Sequence, residues 1–354
     1  MVFQKPPDDS LVGARILVGG GVLAVFAWCC RNIHKNWSAY SSVVPTTHAV
    51  SGTRWCDNNE DQGGSSNTRR TRLALFRGCN CLYQLMIFFI WASGTIKQGI
   101  GMCGGWEMCG GLIGLLGYSP VLFAHNTTLT YIMQTVWWGL ATVVCILAAF
   151  SGGSLSSAGD GSPSRVRQGP PRVLRRMVHV LFTLILPEAI LTSFFEWAVI
   201  LPYMIMKLGT GASELNYISY SMHAINTLCL LGDFYADRML LHPAALPILM
   251  LWVCVYVANA WFQQAMYGGW PYFFMSLNSY ASIFWHTLIF ALHYVAFRVV
   301  QWLSNKKAER YPVLLRGVLG ESADASVAQG VKRPPHEADG LMPAKQAQSA
   351  APDV

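Results

Sequence analysis

Thr130, His223 and Glu196 are the side chains of this sequence whose chemistry combines most readily. A hydroxyl can attack a carbonyl, an imidazole can take its proton, and a carboxylate can hold that imidazole in place. Thr130 opens one apolar run and has Gln134 one turn below it. His223 falls early in another run, with Asn226 and Thr227 at i+3 and i+4 on the same helical face. Glu196 stands near the end of a third run that carries Glu188 in its middle, and Trp270 and Tyr272 precede the last run. Polar and ionisable groups inside apolar spans are costly, and so each is a functional candidate by default. Each also has an ordinary explanation. A membrane Thr commonly bonds its own i−4 carbonyl or a neighbouring helix, and a His near a helix end is often interfacial.

The elements that must position these residues are membrane spans. Charged residues make up 12% of the 354 residues, about half the ~25% typical of soluble domains, while 53% are hydrophobic. Mean hydropathy is +0.34. Thirteen Trp suit a chain that needs anchors at two membrane faces. The net charge of +7 lies in loops rather than along a helix face, so it points to membrane orientation and not to nucleic acid. Spans are expected near 12–30, 80–96, 130–150, 177–201, 217–232, 246–262 and 280–303. The first reads as a retained anchor more readily than as a signal peptide. It has no Ala-x-Ala-like cleavage site, and Cys29-Cys30-Arg31 follows it.

Lys and Arg alternate between loops. Segment 31–79 holds seven (Arg31, Lys35, Arg54, Arg69, Arg70, Arg72 and Arg77), segment 151–176 five, and the tail after Leu303 seven. Segments 97–129, 202–216 and 233–245 hold one each, and 263–279 none. The positive-inside rule then places 31–79, 151–176 and the tail in the cytosol, with the N-terminus outside. Thr130, His223 and Glu196 fall at one depth near the outer face, at the level of Trp270 and Tyr272. The weakest assignment is 233–245, which lies inside only because its neighbours require it.

Segment 151–172, rich in Gly, Ser, Pro and Arg, reads as a flexible linker, and 320–354 as a disordered tail. The outer loop 97–129 is Gly-rich with a short apolar run at 112–116, and Cys103 and Cys109 within it are spaced for a disulfide. Cys29, Cys30, Cys79 and Cys81 suit either palmitoylation or inert interfacial thiols. Cys145, Cys229 and Cys254 suit packing. The sequon at Asn126 lies outside but close to the bilayer, and that at Asn36 on the cytosolic side. A competing constellation is haem ligation by His179, His223, His286 and His293, of which His223 and His286 match best in depth. No P-loop, nucleophile elbow or His-Glu-x-x-His motif is present.

Four features then carry a family resemblance: Leu129-Thr130-Tyr131-Ile132 at the head of a span, Pro187 ten residues before Trp197, Met222-His223 with Asp233 ten residues on, and Trp270-Pro271-Tyr272 before the final span. In this order they resemble the androgen-induced membrane protein family, which includes androgen-dependent TFPI-regulating proteins and, more distantly, rolling stone. The resemblance covers roughly residues 80–303. It implies a six-span core preceded by an additional N-terminal span: 1–79 a span and basic loop, 80–303 the core, 304–354 the cytosolic tail. Better-studied members hydrolyse fatty acid esters of hydroxy fatty acids with a Thr nucleophile and a His. Carried over, those roles fall on Thr130 and His223, with no cofactor and no metal.

The expected protein is therefore an all-α polytopic membrane protein that acts on a lipid ester. Thr130 and His223 are the catalytic pair, with Asn226, Gln134, Glu196, Trp270 and Tyr272 as supporting groups. Its membrane is an endomembrane such as the ER, or the plasma membrane. The alternative is a non-catalytic membrane protein whose basic cytosolic loops, 54–77 and 165–176, dock protein partners or anionic lipids.

Overall fold

A computed structural model describes residues 11–42, 66–102, 126–152, 170–209, 215–237, 239–267, 270 and 272–310. Among them helix dominates and no strand forms. In chain order, α1 is Val12–Ser42, α2 Ser66–Met102 and α3 Asn126–Gly152. Helix α4 opens as Arg172–Phe195 and continues through Glu196–Ile200, Leu201–Tyr203 and Met204–Leu208. Helix α5 is built from Tyr217–Ser219, Tyr220–Ile225 and Asn226–Ala236, followed by α6 (Leu246–Tyr267) and α7 (Ala281–Arg310). Among the described residues, every one of these except α5 is long and apolar enough to cross a membrane, six in all. The chain is a multi-pass membrane protein. Helix α5 differs because its first half carries Ser219, Ser221, His223 and Asn226, all buried against neighbouring helices.

The ends of two helices correct the expected loops. Helix α2 starts at Ser66, so Arg69, Arg70, Arg72 and Arg77 are helical rather than part of a basic loop. Helix α7 runs to Arg310, taking residues 304–310 out of the tail. Hydropathy registers only the apolar run, whereas Arg and Lys are good helix formers whose long stems can lie along apolar surface. The Cys103–Cys109 pairing, the 112–116 run, the 153–169 linker and the tail beyond 310 lie outside the described residues.

Van der Waals packing and interhelical polar contacts hold such a bundle, because lipid tails are as apolar as the side chains they would replace. Trp137, Trp138, Phe182, Phe234 and Phe297 form the centre of the main buried cluster. The Trp137 indole donates to the Val178 carbonyl at 2.9 Å, which satisfies a donor that has no water to turn to. Helices α2 and α3 lie against one another. Their approach uses small residues: a methyl at Gly78 would meet Thr142 at 3.6 Å, and one at Gly139 would meet Cys81 at 3.6 Å. Helix α4 stops at Gly209, whose φ of +66° ends it in the left-handed conformation that glycine tolerates best.

A buried charge cluster ties three helix ends together. Arg77 of α2 donates to both carboxylate oxygens of Asp233, at 2.8 and 2.7 Å, and to Asp237 at 3.1 Å. Lys307 of α7 reaches Asp237 at 3.1 Å, the Met239 carbonyl at 2.9 Å and the Phe234 carbonyl. Two cations face two carboxylates, so the group is neutral as a whole. Arg77 was expected as an exposed, orienting charge; instead its side chain is wholly buried. It also donates to Cys145, which thereby does more than fill space. The cluster joins residues from segments 31–79 and 233–245 and from the C-terminal helix end. Those are the segments that the charge alternation assigns to one side, and the assignment of 233–245 gains a physical partner.

Candidate functional site

Asn216 caps α5, accepting from the backbone amides of Ile218 at 2.9 Å and Ser219 at 3.0 Å. That start sets the register which turns Met222 and His223 inward. His223 lies in a π-helical turn, Tyr220–Ile225, and Glu196 opens another, Glu196–Ile200, on the neighbouring helix. Single π turns inside α-helices recur at functional sites, because the inserted residue re-aims the side chains around it. Here they set Glu196 Oε2 3.6 Å from His223 Nε2. Ser219 approaches the other carboxylate oxygen at 3.5 Å. Ser193 of α4 donates to the His223 carbonyl at 2.5 Å and Thr227 donates back to the Ala189 carbonyl at 3.0 Å, pinning α4 to α5 on either side of the pair.

Thr130 is buried, and its hydroxyl has no hydrogen-bond partner. The His223 Nδ1 is likewise buried without a partner, so the two do not bond to each other. Their neighbours do meet. Tyr131 and Met222, each adjacent in sequence, share a small buried cluster with Ile87. Asn226 donates to Gln134, one turn further along both helices. Thr130 and His223 thus stand next to the residues through which α3 and α5 meet.

Asn226 and Gln134 were expected to support the imidazole. They bond instead to one another and to Gln84 of α2, which donates to Asn226 and accepts from Thr135 at 3.0 Å. Gln84 was not anticipated. The available signal was Asn80 and Gln84, four residues apart in an otherwise apolar stretch, which places both on one helical face.

Trp270 and Tyr272 lie at the edge of a second cluster that also includes Leu129, beside Thr130. The Trp270 indole N–H is buried without an acceptor. The Tyr272 hydroxyl stands 3.4 Å from the Thr127 hydroxyl. Burial pushes the Tyr272 phenol up to about 12, so it stays protonated and able to donate.

A second Glu–His pair lies two turns away along α4. Glu188 receives a bond from Asn126 at 3.0 Å and stands 3.2 Å from His293 Nε2. Asn126, the candidate sequon residue, is thus buried inside the bundle rather than presented outward. Next to this pair is a cavity whose wall includes Asn126, Thr127, Tyr256, Tyr272 and His293, with Leu191, Phe195, Ile200, Phe274 and Ile289 as its apolar part.

His179 and His286, the other candidate haem ligands besides His223 and His293, have local partners. His179 Nε2 meets the Leu240 carbonyl at 3.2 Å. His286 Nδ1 donates to the Ser282 carbonyl at 2.8 Å. Of the expected haem pairing, His223 turns its Nε2 to Glu196 instead. Among the described residues no group of three or more His, Cys, Asp or Glu is arranged to hold a metal ion. No protein-family model, curated protein or solved structure matches this chain.

Proposed function

We propose that this multi-pass membrane protein hydrolyses lipid esters, with Thr130 as nucleophile, His223 as general base and Glu196 as the orienting carboxylate. One observation carries the reading: His223 has a carboxylate at one ring nitrogen and an unpartnered, buried second nitrogen, beside a helix whose Thr130 hydroxyl is also unpartnered. Neutral imidazole has one N–H. Directed from Nε2 toward Glu196, it leaves the Nδ1 lone pair as a base.

In this mechanism Thr130 Oγ1 attacks the ester carbonyl as its proton passes to His223 Nδ1. The tetrahedral intermediate collapses, the C–O bond of the ester breaks, and the departing alkoxide takes that proton. Water, deprotonated by the same nitrogen, then attacks the acyl–threonine ester; as the acyl–oxygen bond breaks, that proton passes to Thr130 Oγ1 and the fatty acid leaves. Glu196 stabilises the transient imidazolium, which burial would otherwise penalise. The Trp270 indole N–H serves the oxyanion, where a fixed donor in a water-poor site counts most. The acyl chain occupies the apolar wall of Leu191, Phe195, Phe274 and Ile289. The substrate class is that implied by the family resemblance, fatty acid esters of hydroxy fatty acids, and the membrane is an endomembrane or the plasma membrane. No cofactor enters the scheme.

The test is labelling of the detergent-solubilised protein with a lipophilic fluorophosphonate, in wild type, Thr130→Ala and His223→Ala. Labelling of wild type that both folded variants lose is the expected outcome. A well-folded wild type that takes no label would replace the hydrolase with a non-catalytic membrane protein.

A further inference from the structure

We propose that Glu188 and His293 form a proton-binding site inside the bundle that opens on the cavity. The argument is proton bookkeeping and stands apart from the hydrolase reading. His293 Nδ1 lies 2.7 Å from the Ile289 carbonyl, four residues back on α7. A carbonyl oxygen only accepts, so Nδ1 carries a hydrogen. Nε2 of the same ring faces Glu188 Oε1 at 3.2 Å, with the Glu188 side chain wholly buried. The other carboxylate oxygen already accepts from Asn126 at 3.0 Å.

If the imidazole were neutral and the glutamate ionised, a bare ring nitrogen would stand 3.2 Å from a carboxylate oxygen that accepts no hydrogen bond. An unneutralised anion would also sit in the membrane interior, where isolated charge is very costly. One additional proton shared by the two groups removes both problems. It makes either an imidazolium beside a glutamate or a neutral imidazole beside a glutamic acid. Both descriptions have the same composition and zero net charge, so the pair binds one proton whichever group holds it.

The surroundings suit this. His293, Asn126 and Tyr256 all contribute to the cavity wall, which contains no Lys or Arg. Among the described residues, the titratable groups facing the pair are Tyr256 from α6 and, beyond it, Tyr272 from the connection between α6 and α7. No cation among these lining residues competes to neutralise Glu188. Asn126 Oδ1 is buried without a hydrogen-bond partner and the Tyr256 hydroxyl lies against the Asn126 backbone, so both polar groups line the cavity beside the pair. A molecule bound in the cavity is therefore positioned to exchange a proton with the pair.

The experiment uses the full-length protein in detergent or nanodiscs at neutral pH, read by infrared spectroscopy and by 15N-histidine NMR. Wild type is expected to show one of two signals. The first is a carboxylic-acid C=O band that Glu188→Gln removes, and the second an imidazolium signal that His293→Asn removes. Because a single variant leaves its partner stranded and can fail to fold, the Glu188→Gln/His293→Asn double variant is the companion sample. It retains polar contact without charge and is expected to fold and to lack both signals. Folded wild type with an ionised Glu188 and a neutral His293 would overturn the proposal. So would persistence of the wild-type signal in the double variant.

Discussion

Helix α4 presents two glutamates, Glu188 and Glu196, to histidines on different helices, and the two pairs are not alike. Glu196 meets an imidazole with one nitrogen engaged and the other free. Glu188 meets an imidazole whose Nδ1 already donates to a backbone carbonyl, which leaves only Nε2, 3.2 Å from the carboxylate, to face it. The first histidine needs only its ordinary single proton and keeps a basic lone pair. The second needs an extra proton and keeps none. In this bundle the free nitrogen, rather than the Glu–His contact itself, separates a candidate for general-base chemistry from a site that stores a proton.

The largest effect expected from this contrast is on turnover. Removing a general base typically costs ~10²–10⁴ in rate, so His223→Ala and Thr130→Ala are each expected to lower lipid-ester hydrolysis by that much. His293→Asn, folded to the same extent, is expected to stay within about tenfold of wild type, less than the loss of a base. Hydrolysis assays on the three purified variants, with circular dichroism as the folding check, make the comparison. A loss in His293→Asn equal to that in His223→Ala would break the distinction.

The charge cluster at the opposite ends of the helices offers a sharper measure of what full satisfaction means. Arg77 is wholly buried and answers two carboxylates, one of which also receives Lys307. Breaking a buried pair from one side typically costs ~3–5 kcal/mol, because the abandoned charge cannot reach water. Arg77→Met is therefore expected to lower thermal stability in detergent strongly while leaving the Thr130–His223 surface intact. Arg77→Met/Asp233→Leu, which removes a cation and an anion together, is expected to recover much of that loss. A folded Arg77→Met protein as stable as wild type would mean that water reaches the cluster.

These residues also show what was legible in the sequence. Apolar runs and loop charges were enough for an all-α, multi-pass architecture, because both follow from composition over tens of residues. The depth match of His223 with Glu196 was also readable, from topology alone. The partners of Arg77 and Lys307 were not. Both sit just outside apolar runs, where a hydropathy reading ends the helix, and their partners lie on α5 and just beyond it, about 70 to 160 residues away in sequence. Nor was the division of labour between the two glutamates. It depends on the local turn that ties His293 Nδ1 to Ile289 and on π turns at Glu196 and Tyr220, which insert a residue without any composition signature. The amides Asn226 and Gln134 read as candidate supports of His223; they bond to one another and to Gln84, which arrives from a third helix and left no pairing signal in the sequence.

A single exchange of glutamate for glutamine separates the two pairs further. Glu196→Gln keeps a hydrogen-bonding group near Nε2 but removes the charge that steadies the imidazolium. It is expected to lower turnover by less than the ~10²–10⁴ of the base itself and to change stability little. Glu188→Gln should do the reverse, since the Asn126 bond becomes one to a neutral acceptor, bonds to charged groups being worth ~1.5–3 kcal/mol, and His293 loses the charge facing it. Parallel thermal-melt and hydrolysis measurements decide. The same profile for both variants would erase the difference between the pairs.

The smallest expected effect concerns the amide layer and bears on where the site ends. Asn226→Leu removes bonds to Gln134 and Gln84 and leaves both amides buried. Interhelical hydrogen bonds in membranes average only ~0.6 kcal/mol, because the same groups also find partners in the unfolded, membrane-inserted chain. Asn226 lies one turn from His223 but makes no bond to it, and its backbone amide belongs to the helix that Ser193 and Thr227 already hold against α4. A slight drop in melting temperature and near-normal fluorophosphonate labelling are therefore expected. If Asn226→Leu abolished labelling as fully as His223→Ala while melting like wild type, the amide layer would belong to the reacting groups. The free nitrogen of His223 would then depend on three helices rather than two.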